Sequence, residues 1–165
     1  MKKINLGRAS VPLEQYASQA NAVLGIRGSG KTFTGTAIAE QLLDGGVPIT
    51  CLDPIGVWRF LRVPLKEGGK AYPVVIAGGE HGDLPLPVNG AGEIMRAAMR
   101  DGVSIVFDLY DVNLSKGDWR KIVAEVVKVL LYENKAYGLR HVFIEEAAEF
   151  IPQKVGPEQG YVYSI

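Results

Sequence analysis

The chain has 165 residues, 47% of them apolar, which is room for one domain with a proper core and excludes a pair of ordinary-sized domains. Its 18 basic residues balance its 18 acidic ones, so no bulk field draws it to nucleic acid or anionic lipid; any DNA contact must come from a local patch or a ring of subunits. The single cysteine, Cys51, excludes an internal disulfide, and no apolar run has signal-peptide or membrane-spanning length. The expectation is a cytoplasmic protein with no membrane partner.

In chain order, residues 1–19 show two turn-like spots and no strong periodicity, and read as a lead-in segment to a domain spanning 20–165. Ala20 to Gly25 is a short apolar run ending in glycine, the pattern of a buried strand. From Lys31 to Asp44 small and apolar residues recur at helical spacing, and Gly45-Gly46 supplies the stop. Pro48 to Asp53 reads as a strand. Asp53-Pro54 then reads as a helix start, a capping carboxylate followed by proline at the first helical position. Pro73 to Ala77 is another strand-like run, leading into a glycine- and proline-rich loop.

Glu93 to Arg100 is expected to be helical and Val103 to Leu109 extended. Asp118 to Asn134 carries the clearest helical period: Trp119, Ile122, Val123, Val126, Val127, Leu130 and Leu131 share one face, with Arg120, Lys121, Glu125 and Lys128 opposite. His141 to Ile144 reads as a last buried strand, with a helical segment from Glu145 towards Pro152. Strands alternating with helices predict an α/β fold, a mostly parallel sheet with helices on both faces.

One motif carries chemistry. Gly25-Ile26-Arg27-Gly28-Ser29-Gly30-Lys31-Thr32 satisfies G-x-x-x-x-G-K-[ST] at every fixed position, with Phe33 following it. Glycines let the backbone curl so that successive N–H groups face phosphate oxygens. The helix that follows adds its unpaired N–H groups and positive dipole end. Lys31 would set an ammonium on the terminal phosphates of ATP, and the Thr32 hydroxyl would enter a magnesium shell shared with phosphate oxygen.

Such a cradle needs a carboxylate for the metal's hydration shell and a base to orient water. Two apolar runs end in candidates. Val142-Phe143-Ile144 leads to the pair Glu145-Glu146, where one carboxylate can serve the metal and its neighbour the water. Ile105-Val106-Phe107 leads to Asp108, a secondary candidate. Asp53 is a second one, read as a helix cap more than as a ligand. Strand ends are where open parallel sheets bind ligands. Trp58 and Trp119 read as core residues. His81 and His141 lack metal-ligand spacing with the cysteine, so no metal site built of protein ligands alone is expected.

These residues resemble the HerA-type ATPases of the HerA/FtsK group of DNA translocases. Beyond the phosphate loop, the likeness rests on Asp53-Pro54-Ile55-Gly56-Val57-Trp58, on the Gly78 to Pro87 segment, and on Phe143 to Pro152, similar to the family's Asp-Glu-Ala segment. The resemblance implies a RecA-like P-loop NTPase fold, hydrolysis of ATP with magnesium, a homo-oligomeric ring (usually a hexamer), movement along double-stranded DNA, and a partner nuclease. It assigns phosphate and metal binding to Lys31 and Thr32, the metal-side carboxylate to Glu145 and the water-activating one to Glu146. Glu145 stands where the family has aspartate. The family also continues past the position of Ile165 with a sensor glutamine and ring-completing arginines, so by this likeness the ATPase domain is incomplete at its C-terminal side.

Three other readings use the same residues. A GTPase would use Asp53-Pro54-Ile55-Gly56 as a D-x-x-G switch, but Asn134-Lys135-Ala136-Tyr137 lacks the carboxylate that reads guanine. A small-molecule kinase would need an arginine-rich lid, which is not evident. A non-catalytic module, read by a partner in its nucleotide-bound state, needs only the loop.

Overall fold

The computed structural model describes residues 2–64, 67–110 and 114–150. It opens with a structure the sequence did not announce. Strands β1 (Lys3–Leu6) and β2 (Ala9–Pro12) pair antiparallel and run into a short helix, α1 (Leu13–Ala17). This hairpin is fastened to the long helix α2 (Lys31–Gly45): the Asn5 N–H donates to Gln41 Oε1 at 2.7 Å, and Gln41 Nε2 donates back to the Asn5 carbonyl at 3.2 Å. Ile4 and Leu13 are buried with Ile38, Ala39 and Leu42 of α2. The lead-in is therefore part of the packed unit. Gly46 ends α2 in a left-handed conformation, the expected glycine stop.

The remaining strands are β3 (Ile49–Asp53), β4 (Val74–Gly78), β5 (Ser104–Asp108) and β6 (His141–Ile144), all parallel, in the order β4-β5-β3-β6. Helix α3 (Ala91–Arg100) precedes β5, and α4 (Lys116–Glu133) lies between β5 and β6. Ser115 caps α4 through a reciprocal bond with Asp118, so the helix begins two residues earlier than its apolar period predicts. Strand side chains alternate between faces as a period of two requires. Leu52, Ala77, Ile105 and Phe107 pack with α3 and α4, whereas Cys51, Ile76 and Val106 pack with α1, α2 and Trp58. The chain is thus an α/β protein whose four-stranded parallel sheet has helices on both faces. Among the described residues no helix is long and apolar enough to cross a membrane.

Three expected elements differ. Ala20 to Gly25 is not a strand; it carries no regular structure and is exposed. The Asn21 side-chain amide donates to the carbonyls of Tyr16 and Gln19, which folds the chain back on α1 and holds it off the sheet. No α-helix starts at Pro54. Ile55, Gly56 and Trp58 instead donate their backbone N–H groups to Asp53, and only a 3-10 turn, Trp58–Arg62, follows. The segment after β6 is also not α-helical. Glu145 N–H continues the β6 ladder to the Leu52 carbonyl at 3.1 Å, Glu146 is left-handed (φ 47°, ψ 50°), and Ala147–Glu149 forms a 3-10 turn. That turn returns Phe150 to the α3–α4 core. Ile151 and Pro152, which closed the family-like segment, lie outside the described residues, as do the residues to 165.

At the amino ends of the strands, Arg140 is buried, and no acid pairs with it among the described residues. Its guanidinium donates to the carbonyls of Ile49, Ala98 and Val103 and to Thr50 Oγ1, at 2.9–3.2 Å. Burial lowers its pKa to about 10, so it remains a cation at neutral pH. The neighbouring His141 ring nitrogen sits 3.1 Å from the Ala17 carbonyl and ties α1 to β6; burial lowers its pKa.

Candidate functional site

The glycine-rich segment lies at the carboxyl ends of the strands, between the exposed 20–25 stretch and α2. The Ser29 N–H bonds to the Ile26 carbonyl at 3.2 Å, closing a turn. Gly28 and Gly30 both take left-handed angles, φ 79° and 86°, which an L side chain would resist. A Cβ on Gly25 would meet the Ser29 hydroxyl, which would have to rotate away. Gly30 supplies no side chain to cap α2, leaving the N–H groups of its first turn facing the loop. Lys31 reaches back across the curl, donating from Nζ to the Ile26 carbonyl at 3.3 Å. Ile26, Arg27 and Phe33 are exposed at the rim.

The second half of the site comes from β6. Glu145 follows the last β6 residue, and its Oε1 accepts from Thr32 Oγ1 at 2.8 Å, a contact between residues 113 positions apart. Its Oε2 accepts from the indole Nε1 of Trp58 at 3.0 Å. Glu146, exposed, lines the same groove as Lys31 and Glu145. That groove, of about 770 Å³, separates residues 16–24 from β6 and the end of α4. Among the described residues β6 pairs only with β3, and the groove runs along its other side.

Glu146 is the only described non-glycine residue with a positive φ, a conformation costing on the order of 1–3 kcal/mol. It lets residue 145 stay on the strand ladder while the chain turns towards Phe150. Lys116 reinforces that turn from the α4 side through an ion pair with Glu149 at 2.6 Å.

The two secondary candidates have structural settings. Asp53 is fully buried, and its carboxylate holds the three backbone N–H groups named above at 2.8–3.0 Å. Burial raises its pKa to about 6 despite those donors, with nearby Asp108 adding to the rise. The D-x-x-G sequence is accordingly a capped turn, with Gly56 left-handed against the Tyr110 side chain. Asp108, beside Asp53 in the β3–β5 register, accepts from the Tyr110 N–H at 3.1 Å and has the Arg59 guanidinium 3.6 Å away. Neither carboxylate meets Lys31 or Thr32 in a hydrogen bond.

Sequence reasoning placed Trp58 in the core, and it is 1% exposed, but its bond to Glu145 escaped notice. Buried indoles usually pair their N–H with an acceptor, as Trp58 does and Trp119 does not among the described residues, so the signal existed without naming the partner.

The described residues contain no cluster of three or more acidic, histidine or cysteine side chains able to hold a metal alone. Thr32 Oγ1 and Glu145 Oε1 are nonetheless hard oxygen donors side by side, which suits a magnesium ion that draws its remaining ligands from phosphate and water. Comparison with family models, with curated proteins and with solved structures returned no match.

Proposed function

We propose that this chain is a RecA-like P-loop domain that binds ATP with magnesium at Gly25–Thr32 and hydrolyses it. The observation that carries this reading is the 2.8 Å bond between Thr32 and Glu145. A phosphate-loop motif alone predicts a curled glycine turn. It does not predict that a carboxylate from a strand end more than a hundred residues away will meet its threonine hydroxyl.

In this reading the loop N–H groups and the α2 terminus hold phosphate oxygens, and Lys31 exchanges the Ile26 carbonyl for the terminal phosphates. Thr32 and Glu145 hold the magnesium, which when bound neutralises charge on the β- and γ-phosphates. Glu146, one residue beyond and facing the groove, orients water for attack. The HerA-like segments extend the proposal to a ring-forming motor on double-stranded DNA, with a nuclease as a partner. That extension rests on sequence likeness, whereas nucleotide binding rests on geometry.

One observation favours a second reading, a nucleotide-gated module without turnover: the residues leading into the loop are not paired in the sheet, so the cradle has a firm support on the α2 side only. Calorimetric titration with Mg-ATP tests the shared premise. Lys31→Ala should weaken binding on the order of 100-fold, equivalent to about 2.7 kcal/mol, with the fold unchanged. Equal affinity in the variant overturns the site. Hydrolysis that rises with double-stranded DNA selects the motor; tight binding without turnover selects the module.

A further inference from the structure

We propose that Trp58 is a positioning residue for the metal-side carboxylate: its indole N–H fixes one oxygen of Glu145 so that the other stays directed at Thr32. This rests on the nucleotide-site reading above and adds a residue to it.

Trp58 is wedged between the two halves of the site. One edge of the indole packs against α2 at Gly35, where an added Cβ would lie 3.3 Å from the ring. Its face is tilted over Phe143 of β6, with ring centroids 4.6 Å apart. Its own backbone N–H is held by Asp53 at 2.8 Å, and its side-chain N–H by Glu145 at 3.0 Å. The helix bearing Thr32 and the strand bearing Glu145 are therefore spaced by this one ring. Phenylalanine would lack both the part of the ring that meets Gly35 and the N–H that reaches Glu145.

The donor chemistry distinguishes the two oxygens. An indole N–H only donates, so Glu145 Oε2 has a fixed partner. The Thr32 hydroxyl donates to Oε1 in this structure, but it can rotate to offer a lone pair instead. Oε1 is thus the exchangeable oxygen and Oε2 the anchor. Three rotatable bonds separate the Glu145 carboxylate from its backbone. Anchoring one oxygen restricts the conformational freedom those bonds allow.

Trp58→Phe deletes the N–H and leaves a smaller aromatic ring in its place. In the full chain, ATP affinity measured in chelator should stay within about twofold of wild type. The magnesium concentration giving half-maximal enhancement of ATP binding should rise about tenfold. An unchanged magnesium dependence overturns the proposal, as does an equal loss with and without magnesium, which is what damaged packing would produce. Wild-type protein that binds no ATP overturns the nucleotide-site reading itself, so the two failures are distinguishable. If Trp58→Phe does not fold, Trp119→Phe leaves Trp58 as the sole indole. Its emission should then shift when magnesium is added to ATP-bound protein and stay still in the Trp119→Phe, Glu145→Gln double variant. No shift in the first protein, or the same shift in both, overturns the proposal.

Discussion

Asp53 and Glu145 follow one another across the sheet: β3 and β6 are paired through Leu52 and Ile144, and each acid is the next residue of its strand. Their surroundings differ in where the partners come from. Asp53 takes backbone N–H groups from two, three and five residues ahead. Glu145 takes side-chain donors from residues 113 and 87 positions away. A carboxylate satisfied by its own loop shapes that loop. A carboxylate satisfied by side chains of two other elements marks where those elements converge, and side chains can let go in exchange for a ligand.

The comparison can be broken most forcefully at Asp53. Asp53→Ala strands three N–H groups and should cost about 3 kcal/mol in chemical denaturation. Its pH signature is equally specific. Because the folded pKa of Asp53 is raised to about 6 above the usual carboxylate value, the folded state holds this proton more tightly than the unfolded chain. Wild-type stability should therefore fall, relative to Asp53→Ala, as pH rises from about 4 to about 6, and run parallel beyond. Parallel curves across that window would show that burial does not govern this carboxylate.

Glu145→Gln sharpens the contrast with a smaller and differently placed effect. Its amide can still accept from Trp58 or Thr32, so the denaturation midpoint should move by less than about 1 kcal/mol. Magnesium enhancement of ATP binding should weaken about tenfold, or about 1.4 kcal/mol. A large stability loss with normal magnesium dependence would put Glu145 in the same structural class as Asp53. Smallest of all is Glu146→Gly. Glycine accepts the left-handed conformation without the Cβ penalty, so thermal unfolding should show a gain of up to about 1 kcal/mol while hydrolysis is lost. A destabilised variant would mean the glutamate side chain stabilises the turn beyond its backbone cost.

Periodicity made most of the framework legible. Strands β3 to β5 are short, mostly buried runs, and α4 keeps one apolar face through its length, so each pattern has a single solution. The hairpin was hidden because its two strands have four residues each, mostly exposed, with Ile4 as the one buried side chain of β1. Ala20 to Gly25 misled for the opposite reason. Its composition suits a strand, but pairing requires reaching an edge, and the Asn21 amide holds the chain against α1. Thr32 and Glu145 were each expected at a magnesium shell, one from the loop motif and the other as a strand-end carboxylate, but their direct hydrogen bond was not. Nor were Trp58 as a link and the left-handed Glu146, since both depend on three-dimensional neighbours that no local pattern encodes.

Arg140, at the far ends of the same strands, gives the sheet a fastening of another kind. All four of its acceptors are uncharged oxygens that neither gain nor lose a proton in ordinary solution. While the chain stays folded, that grip is indifferent to acidity across the range in which carboxylates and histidines titrate. The clamp will hold while buried Asp53, at the opposite end of β3, changes its ionisation.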